Sequence, residues 1–177
     1  MTGAEISSKI GINYGRLGNN LPSPTQTMAH ILAMKAGRVK LYDANPEMLK
    51  LLSGTKLQVS IMVSNREISG IASSQTAADE WVRNNVVPYY PDTMIRFLLV
   101  GNEVLSSLSD QDRQMWFDLV PAMRKIKISL KAQNISNIKI GTPLAMDVMR
   151  STFPPSTGMF RCLNHPSYLK ISRLIDI

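Results

Sequence analysis

Cysteine is almost absent from this 177-residue chain, which contains Cys162 alone. A single cysteine cannot form an intrachain disulfide, and it cannot supply the several thiolates of a zinc or iron–sulfur cluster. The two histidines, His30 and His165, are too few and too far apart in sequence to indicate a zinc site. We therefore expect this protein to bind no metal and no cofactor.

Long apolar runs are also lacking. None approaches the roughly 20 residues that a membrane-spanning helix requires, and the mean hydropathy is −0.04. Residues 1–8 contain no apolar stretch of the secretory kind, so we expect no signal peptide and interpret them as an N-terminal extension. Because 44% of the residues are hydrophobic, the composition predicts one soluble globular domain with a sizeable core.

Aromatic residues make up only 6% of the chain, although its net charge is +7. Proteins that bind single-stranded nucleic acid combine cations with aromatic rings on which bases stack. Here the cations are scattered, and the densest group, at 124–131, is typical of the solvent-facing side of a helix. A basic nucleic-acid-binding α/β protein is therefore the weakest hypothesis; it predicts polynucleotide binding that falls steeply with salt.

Five short apolar runs alternate with segments of helical period. The predicted strands are 9–14, 38–42, 58–63, 94–100 and 138–141. The predicted helices are 24–36, 46–52, 76–85 and 111–133. Asn45 and Pro46 have the residue types preferred at the N-cap and first turn of the second helix, and Gly37 is predicted to end the first. The first helix is expected to present Met28, Ile31, Leu32 and Met34.

Continuous apolar strands joined by helices predict a parallel sheet, either doubly wound or closed into a (β/α)8 barrel. The loop at 14–20 lacks the glycine spacing of a nucleotide-binding fold. Polar residues instead recur where each predicted strand ends: Asn13, Tyr14, Asp43, Ser64, Asn65, Asn102, Glu103 and Thr142. A barrel keeps its active site at this edge, so we favour a TIM-barrel fold, here a partial barrel of about five strands.

Seven short motifs follow one another in order within residues 9–161. They lie at 10–16, 19–22, 40–46, 81–85, 100–104, 119–123 and 141–147, and include Gly-Ile-Asn-Tyr-Gly, Leu-Tyr-Asp-Ala-Asn-Pro and Val-Gly-Asn-Glu-Val. Their order and spacing resemble the plant glucan endo-1,3-β-glucosidases of glycoside hydrolase family 17. The resemblance implies a (β/α)8 barrel that hydrolyses internal β-1,3 linkages of glucan with retention of configuration, in a family secreted to the cell wall or apoplast.

The resemblance also implies a role for each matching residue. Glu103 would be the proton donor at the end of the fourth strand, and Asn102 would hydrogen-bond the sugar beside the cleaved bond. Asn13 and Tyr14 would line the cleft, although Tyr14 suits core packing equally well. Asp43 either lines the cleft or caps the turn before Pro46, and we favour the structural role. The implied partner is a β-1,3-glucan such as callose or laminarin, not a nucleic acid.

One family feature is missing from the sequence. Family members carry a second glutamate, the nucleophile, in a Glu-Ser-Gly-Trp-Pro stretch on a late strand, but no glutamate follows Glu103 here. The later carboxylates are Asp110, Asp112, Asp118, Asp147 and Asp176, and none matches it. Hydrolysis by the usual route needs two carboxyl groups. We therefore expect a truncated chain, inactive on its own, with a non-catalytic glucan-binding remnant as the alternative.

The motifs stop near Arg161, so the sequence predicts a partial hydrolase barrel at 9–161 and a divergent tail at 162–177. A barrel of this type takes about 250 residues. We expect five strands without the others to leave two open sheet edges and an apolar inner face. That arrangement predicts self-association.

Overall fold

The computed structural model describes residues 7–106 and 110–160, and its main sheet contains five parallel strands. They are β1 (Ser7–Tyr14), β2 (Ala36–Leu41), β3 (Gln58–Val63), β4 (Ile95–Val100) and β5 (Lys139–Gly141). Neighbours in the sheet follow chain order. Within the described ranges β1 and β5 each pair with one strand, so the sheet is an open segment of a barrel, as predicted. The tail at 162–177 lies outside the described residues.

Helices connect each strand to the next. They are α1 (Pro24–Ala33), α2 (Pro46–Leu51), α3 (Ile68–Ser73), α4 (Gln75–Asn85) and α5 (Asp110–Ala132). A two-stranded antiparallel ribbon follows β5, formed by β6 (Met149–Ser151) and β7 (Met159–Phe160). Neither α3 nor this ribbon was predicted, because both consist of segments too short to establish a hydrophobic period. No helix in the described part is long and apolar enough to cross a membrane.

The start of α2 agrees with the prediction from its sequence. Asn45 accepts a hydrogen bond on its side chain from the Met48 amide at 3.0 Å, and Pro46 occupies the first turn. Since proline has no amide hydrogen, it removes a donor that the first turn would otherwise leave unpaired. These contacts determine the direction in which the chain leaves β2, and therefore the position of Asp43 just before them.

The predicted end of the first helix was wrong. Helix α1 ends at Ala33, and Lys35, not Gly37, takes the left-handed conformation, at φ 53°. Gly37 lies within β2 and is buried. Met34 consequently lies beyond the helix and is 63% exposed, and Leu32 is 44% exposed, whereas Met28 and Ile31 are buried as predicted. A lysine in the left-handed turn allowed the strand to begin two residues earlier than expected.

The hydrophobic core lies between the sheet and its helices. Alternate strand residues on one face are buried against helical side chains; they include Val39, Leu41, Val59, Ile61, Val63, Leu98 and Val100. Trp81 and Val82 of α4 join this core, as predicted. This arrangement is expected for parallel strands covered by crossover helices.

The opposite, inner face of the sheet is only partly apolar, so the expectation of an apolar inner face was wrong in part. Register places Lys40, Ser60, Phe97 and Lys139 side by side across four strands. Arg38 of β2, two residues before Lys40, is exposed, as is Lys139. Because strand side chains alternate between faces, the apolar residues that suggested fully buried strands mostly point toward the helices. The inner face is instead mixed and positively charged.

Candidate active site

Polar residues from the five strand ends meet at one edge of the sheet. Strands running parallel bring their carboxyl ends together, and contacts between the loops establish this directly. The Asn65 side chain after β3 bonds to Asn102 after β4, and the Glu103 amide after β4 donates to the Pro143 carbonyl after β5 at 3.2 Å. Asn13, Tyr14 and Asp43, at or just after the ends of β1 and β2, lie on the same edge.

Glu103 is exposed and has a left-handed backbone, with φ 51°. For a residue with a β-carbon this conformation costs about 1–2 kcal/mol, so the surrounding structure must hold it. Its amide is held by Pro143, and its carbonyl accepts from the Ser106 amide at 3.0 Å. Strained residues of this kind concentrate at functional sites. The fold therefore keeps one carboxylic acid at this edge in an unfavourable conformation.

Gly101 makes the turn possible. It also has a positive φ, of 69°, and its amide donates the last bond of the β3–β4 ladder to the Val63 carbonyl at 2.9 Å. A β-carbon here would lie 2.4 Å from Val104 Cγ2 and 2.7 Å from Ile68 Cδ1. Both distances are far below normal contact, so only glycine fits the observed backbone.

Asn102 is held through both its backbone and its side chain. Its amide donates to Asn65 Oδ1 at 2.7 Å, and its carbonyl accepts from Asn65 Nδ2 at 3.1 Å. Its own Oδ1 accepts from Lys40 Nζ at 3.5 Å. An ammonium group only donates, so it selects the oxygen of the carboxamide and turns the Nδ2 donors away. Lys40 Nζ itself lies 4.4 Å from the centre of the Tyr42 ring.

The remaining predicted residues differ in their surroundings. Tyr14 is half-buried among core residues, and its hydroxyl donates to Thr27 Oγ1 of α1 at 3.5 Å. This is the core-packing role, one of the two roles that its sequence position suited. Asn13 is exposed. Asp43 accepts from the Asn45 amide at 3.1 Å and so caps the turn before Pro46, in line with the structural role we favoured.

Asp43 also borders a recess of about 330 Å³ at this edge. The recess is lined by Asp43, Ala44, Asn45, Met62, Ser64, Glu67, Trp81 and Asn85. Glu67 holds its wall together: one carboxylate oxygen accepts from the Ser64 amide and hydroxyl at 2.8 and 2.7 Å, and the other accepts from Trp81 Nε1 at 3.0 Å. With these bonds made, Glu67 has a structural role in the loop.

The aspartates beyond Glu103 are engaged elsewhere or lie outside the described side chains. Asp118 Oδ2 accepts from Ser69 of α3 at 2.6 Å. Asp147 Oδ1 accepts from the Ser106 hydroxyl at 2.7 Å, and so supports the turn that follows Glu103. Asp176 and the side chains of Asp110 and Asp112 are not described. No group of three or more metal-ligating residues occurs in the described part of the chain.

Sequence reasoning placed Asn65 among the strand-end polar residues but missed its contacts with Asn102, and it missed Lys40 entirely. A polar residue directly after each strand was the available signal for Asn65. Nothing in the sequence indicates that a lysine within β2 reaches an asparagine 62 residues further on, since that contact depends on the sheet register.

Comparison with known proteins identifies relatives of this arrangement. The family model described as Glycosyl hydrolases family 17 matches residues 10–176. "Probable glucan endo-1,3-beta-glucosidase A6" of Arabidopsis thaliana is 61% identical over 157 residues, which is 89% of this chain and 32% of the relative. "Glucan endo-1,3-beta-glucosidase 1" of the same plant is 41% identical over 152 residues, 85% of this chain and 29% of the relative.

Two solved structures have the same fold. CJP38, a beta-1,3-glucanase and allergen of Cryptomeria japonica pollen, superposes with a TM-score of 0.87 at 34% identity, over 94% of this chain and 52% of its own. A plant beta-glucan endohydrolase superposes with a TM-score of 0.84 at 28% identity, with the same coverage. The chain thus spans about a third of these curated relatives and about half of each solved chain.

Proposed function

Because the chain belongs to glycosyl hydrolase family 17, we propose that it carries the proton-donor half of a retaining glucan endo-1,3-β-glucosidase site. The observation that supports this most is the placement of Glu103. It is the one glutamate at the end of β4, it follows an asparagine, and loops after β3 and β5 hold its turn. We propose β-1,3-glucan as the substrate, at the cell wall or apoplast.

The chemistry follows from the position of the acid. Glu103 gives its carboxyl proton to the glycosidic oxygen as the bond from that oxygen to the anomeric carbon breaks. A carboxylate nucleophile on the other face forms the glycosyl–enzyme bond. Glu103, now ionised, then takes a proton from the water that releases the sugar. The nucleophile needs a carboxylate about 5–5.5 Å from the acid, and we assign none in this sequence.

The other strand-end residues are proposed to bind the sugar. Asn102, with its oxygen directed to Lys40, has its Nδ2 donors available for a sugar hydroxyl. Asn13 and Asp43 are exposed at the same edge and offer an amide and carboxylate oxygens. Tyr14 packs with the core and its hydroxyl bonds to α1, so it is proposed to support this edge from the helix side without contacting the sugar.

We expect the 177-residue chain to bind β-1,3-gluco-oligosaccharides without hydrolysing laminarin at a useful rate. Calorimetric titration with laminarihexaose measures binding, and reducing-sugar release measures hydrolysis. Glu103→Gln keeps the shape of the side chain, so we expect binding within about threefold of the unmodified chain, because a neutral amide replaces a single rim carboxyl group. Glu80→Gln, on the exposed side of α4, is the matched control.

Two outcomes would contradict this proposal. The absence of any oligosaccharide binding would remove the glucan site. Hydrolysis of laminarin that Glu103→Gln abolishes and Glu80→Gln leaves intact would instead show that the chain contains a complete two-carboxylate site. Hydrolysis that neither substitution affects would come from a contaminant. The binding measurement would then decide whether the chain has a glucan site.

A further inference from the structure

The side chain of Asn65 takes the place of a strand beside Asn102. Strand β3 ends at Val63, whose carbonyl accepts the Gly101 amide as the last ladder bond between β3 and β4. One residue after Gly101, beyond the end of β4, the amide and the carbonyl of Asn102 bond to Oδ1 and Nδ2 of Asn65 at 2.7 and 3.1 Å. A residue in a sheet is normally held through both backbone groups by a neighbouring strand. Here one carboxamide makes both bonds.

The peptide unit joining Asn102 to Glu103 is therefore held at both of its polar atoms. Its carbonyl oxygen accepts from Asn65 Nδ2, and its N–H donates to the Pro143 carbonyl at 3.2 Å. A peptide unit is planar, so two contacts on opposite sides determine its orientation. The next rotation along the chain is the φ of Glu103, which has the left-handed value of 51°. The direction in which the Glu103 side chain leaves the backbone follows from that plane together with this φ.

We propose that Asn65 is a positioning residue for Glu103: its carboxamide holds the Asn102–Glu103 peptide in the orientation that presents the acid to the sugar. The proposal rests on the role of Glu103 proposed above. Asn65 acts through the backbone and does not itself contact the substrate. Asparagine is suited to this place because one short side chain offers an acceptor and a donor side by side.

The neighbouring glycine supports the assignment independently. A β-carbon on Gly101 would lie 3.2 Å from Asn65 Oδ1, in addition to its collisions with Val104 and Ile68. The absence of a side chain at position 101 thus leaves the space in which the Asn65 carboxamide reaches the Asn102 backbone. The two residues form one arrangement, in which glycine gives access and asparagine makes the contacts.

Substitutions at Asn65 separate its two bonds. Asn65→Leu has a similar size and loses both bonds, whereas Asn65→Asp keeps an acceptor for the Asn102 amide and loses the donor to the Asn102 carbonyl. Asn84→Leu is the matched control, since Asn84 is exposed on α4. Melting temperatures of all three variants identify any loss of the fold. If Asn65→Leu does not fold, the measurements below are made on Asn65→Asp.

The first measurement is amide hydrogen exchange of the full 177-residue chain, resolved at Asn102, with the Leu98 amide of β4 as internal reference. We expect the Asn102 amide to exchange about tenfold faster in Asn65→Leu, since its hydrogen bond is lost, and less in Asn65→Asp, which keeps the acceptor. Leu98 should not change. Asn102 exchange within twofold of the unmodified chain, or equal acceleration at Leu98, overturns the proposal.

The second measurement is the dissociation constant for laminarihexaose. We expect Asn65→Leu to weaken binding about threefold to tenfold at an unchanged melting temperature, because the groups that meet the sugar are displaced. Asn84→Leu should bind normally. Normal sugar affinity with faster exchange at Asn102 overturns the role in positioning. If the unmodified chain binds no oligosaccharide, the proposed function fails, and the exchange at Asn102 still decides whether Asn65 holds this turn.

Discussion

At the scale of single residues, the turn after β4 depends on the lack of a side chain at Gly101 as much as on the carboxylic acid of Glu103. Gly101 and Glu103 both have positive φ values, of 69° and 51°, with Asn102 between them. Only the glycine adopts that conformation without strain. The strain at Glu103 is therefore held by hydrogen bonds from three surrounding segments, through Asn65, Pro143 and Ser106.

Replacement of Gly101 by alanine should destabilise the protein strongly. The new β-carbon collides with Val104 Cγ2 and Ile68 Cδ1 in a conformation that alanine disfavours. We expect a loss of roughly 2–4 kcal/mol in the free energy of unfolding, combining backbone strain with overpacking. Gly70→Ala is the control, because no atom of the described residues lies within 4 Å of a β-carbon at this position in α3. Urea unfolding of both variants tests this; equal stability would contradict it.

At the scale of secondary-structure elements, α4 and α5 are joined by a polar cluster. Asp79 Oδ1 accepts from the Ser129 hydroxyl at 2.5 Å and from Gln75 Nε2 at 2.9 Å, and Gln75 Nε2 also reaches the Lys125 carbonyl at 3.1 Å. Ser129 itself is buried. Hydrogen bonds from Ser129, and then from Gln75, hold the pKa of Asp79 below its ordinary value; partial burial opposes this shift, and Arg83 adds to it.

This lowered pKa makes the stability of the protein depend on pH in a defined direction. The carboxylate binds protons less readily in the folded chain than in the unfolded one, so its contribution is complete above the ordinary pKa of 3.8. The contribution is lost as the pH falls through the lower folded pKa. We expect the stability difference between the unmodified chain and Asp79→Asn to shrink below about pH 4.

Unfolding midpoints measured between pH 3 and pH 6 check this prediction. Ser129→Ala removes the hydrogen bond that lowers the pKa of Asp79 most, so the pKa should move back toward its ordinary value, which flattens the acid limb of the stability curve. Asp92→Asn, in the exposed loop before β4, is the control. A stability difference for Asp79→Asn that grows as the pH falls would contradict the assignment.

At the scale of the whole molecule, the structure changes the reason for expecting self-association. The inner face carries Arg38, Lys40 and Lys139, so two such faces repel one another instead of joining as apolar surfaces. The remaining route to self-association in the described residues is through the two edge strands, β1 and β5, each of which pairs with one neighbour. Unpaired strand edges are templates for association through the backbone.

We therefore still predict that the 177-residue chain self-associates, through strand edges. Sedimentation velocity at increasing protein concentration should give species heavier than the 19.7 kDa monomer. Arg38→Leu is the informative comparison, since it makes the inner face more apolar without changing an edge. If the unmodified chain and Arg38→Leu associate equally, association occurs through the strand edges. If Arg38→Leu associates more strongly, it occurs through the inner face of the sheet. A monomer with a cooperative melt would contradict the prediction.

The sequence by itself determined the class of fold, and it indicated Glu103 as the acid that we propose. Alternating apolar runs and helical segments, polar residues after each strand, and the N-cap at Asn45 are local properties, and each reappears in the structure. The boundary of α1, the short helix α3 and the ribbon of β6 and β7 were missed, because a residue such as Lys35 can replace the expected glycine in a turn. Short elements also carry too little periodicity to be recognised.

Only the tertiary structure decided how the acid is held. The bonds from Asn65 and Lys40 to Asn102, and from Glu103 to Pro143, join residues that lie 37, 62 and 40 positions apart, so they exist only once the strands are in register. The charge of the inner face likewise depends on which side chains alternate inward. Local sequence preferences specify which segments form strands, but long-range hydrogen bonds across the sheet specify the orientation of one peptide, and with it the direction of Glu103.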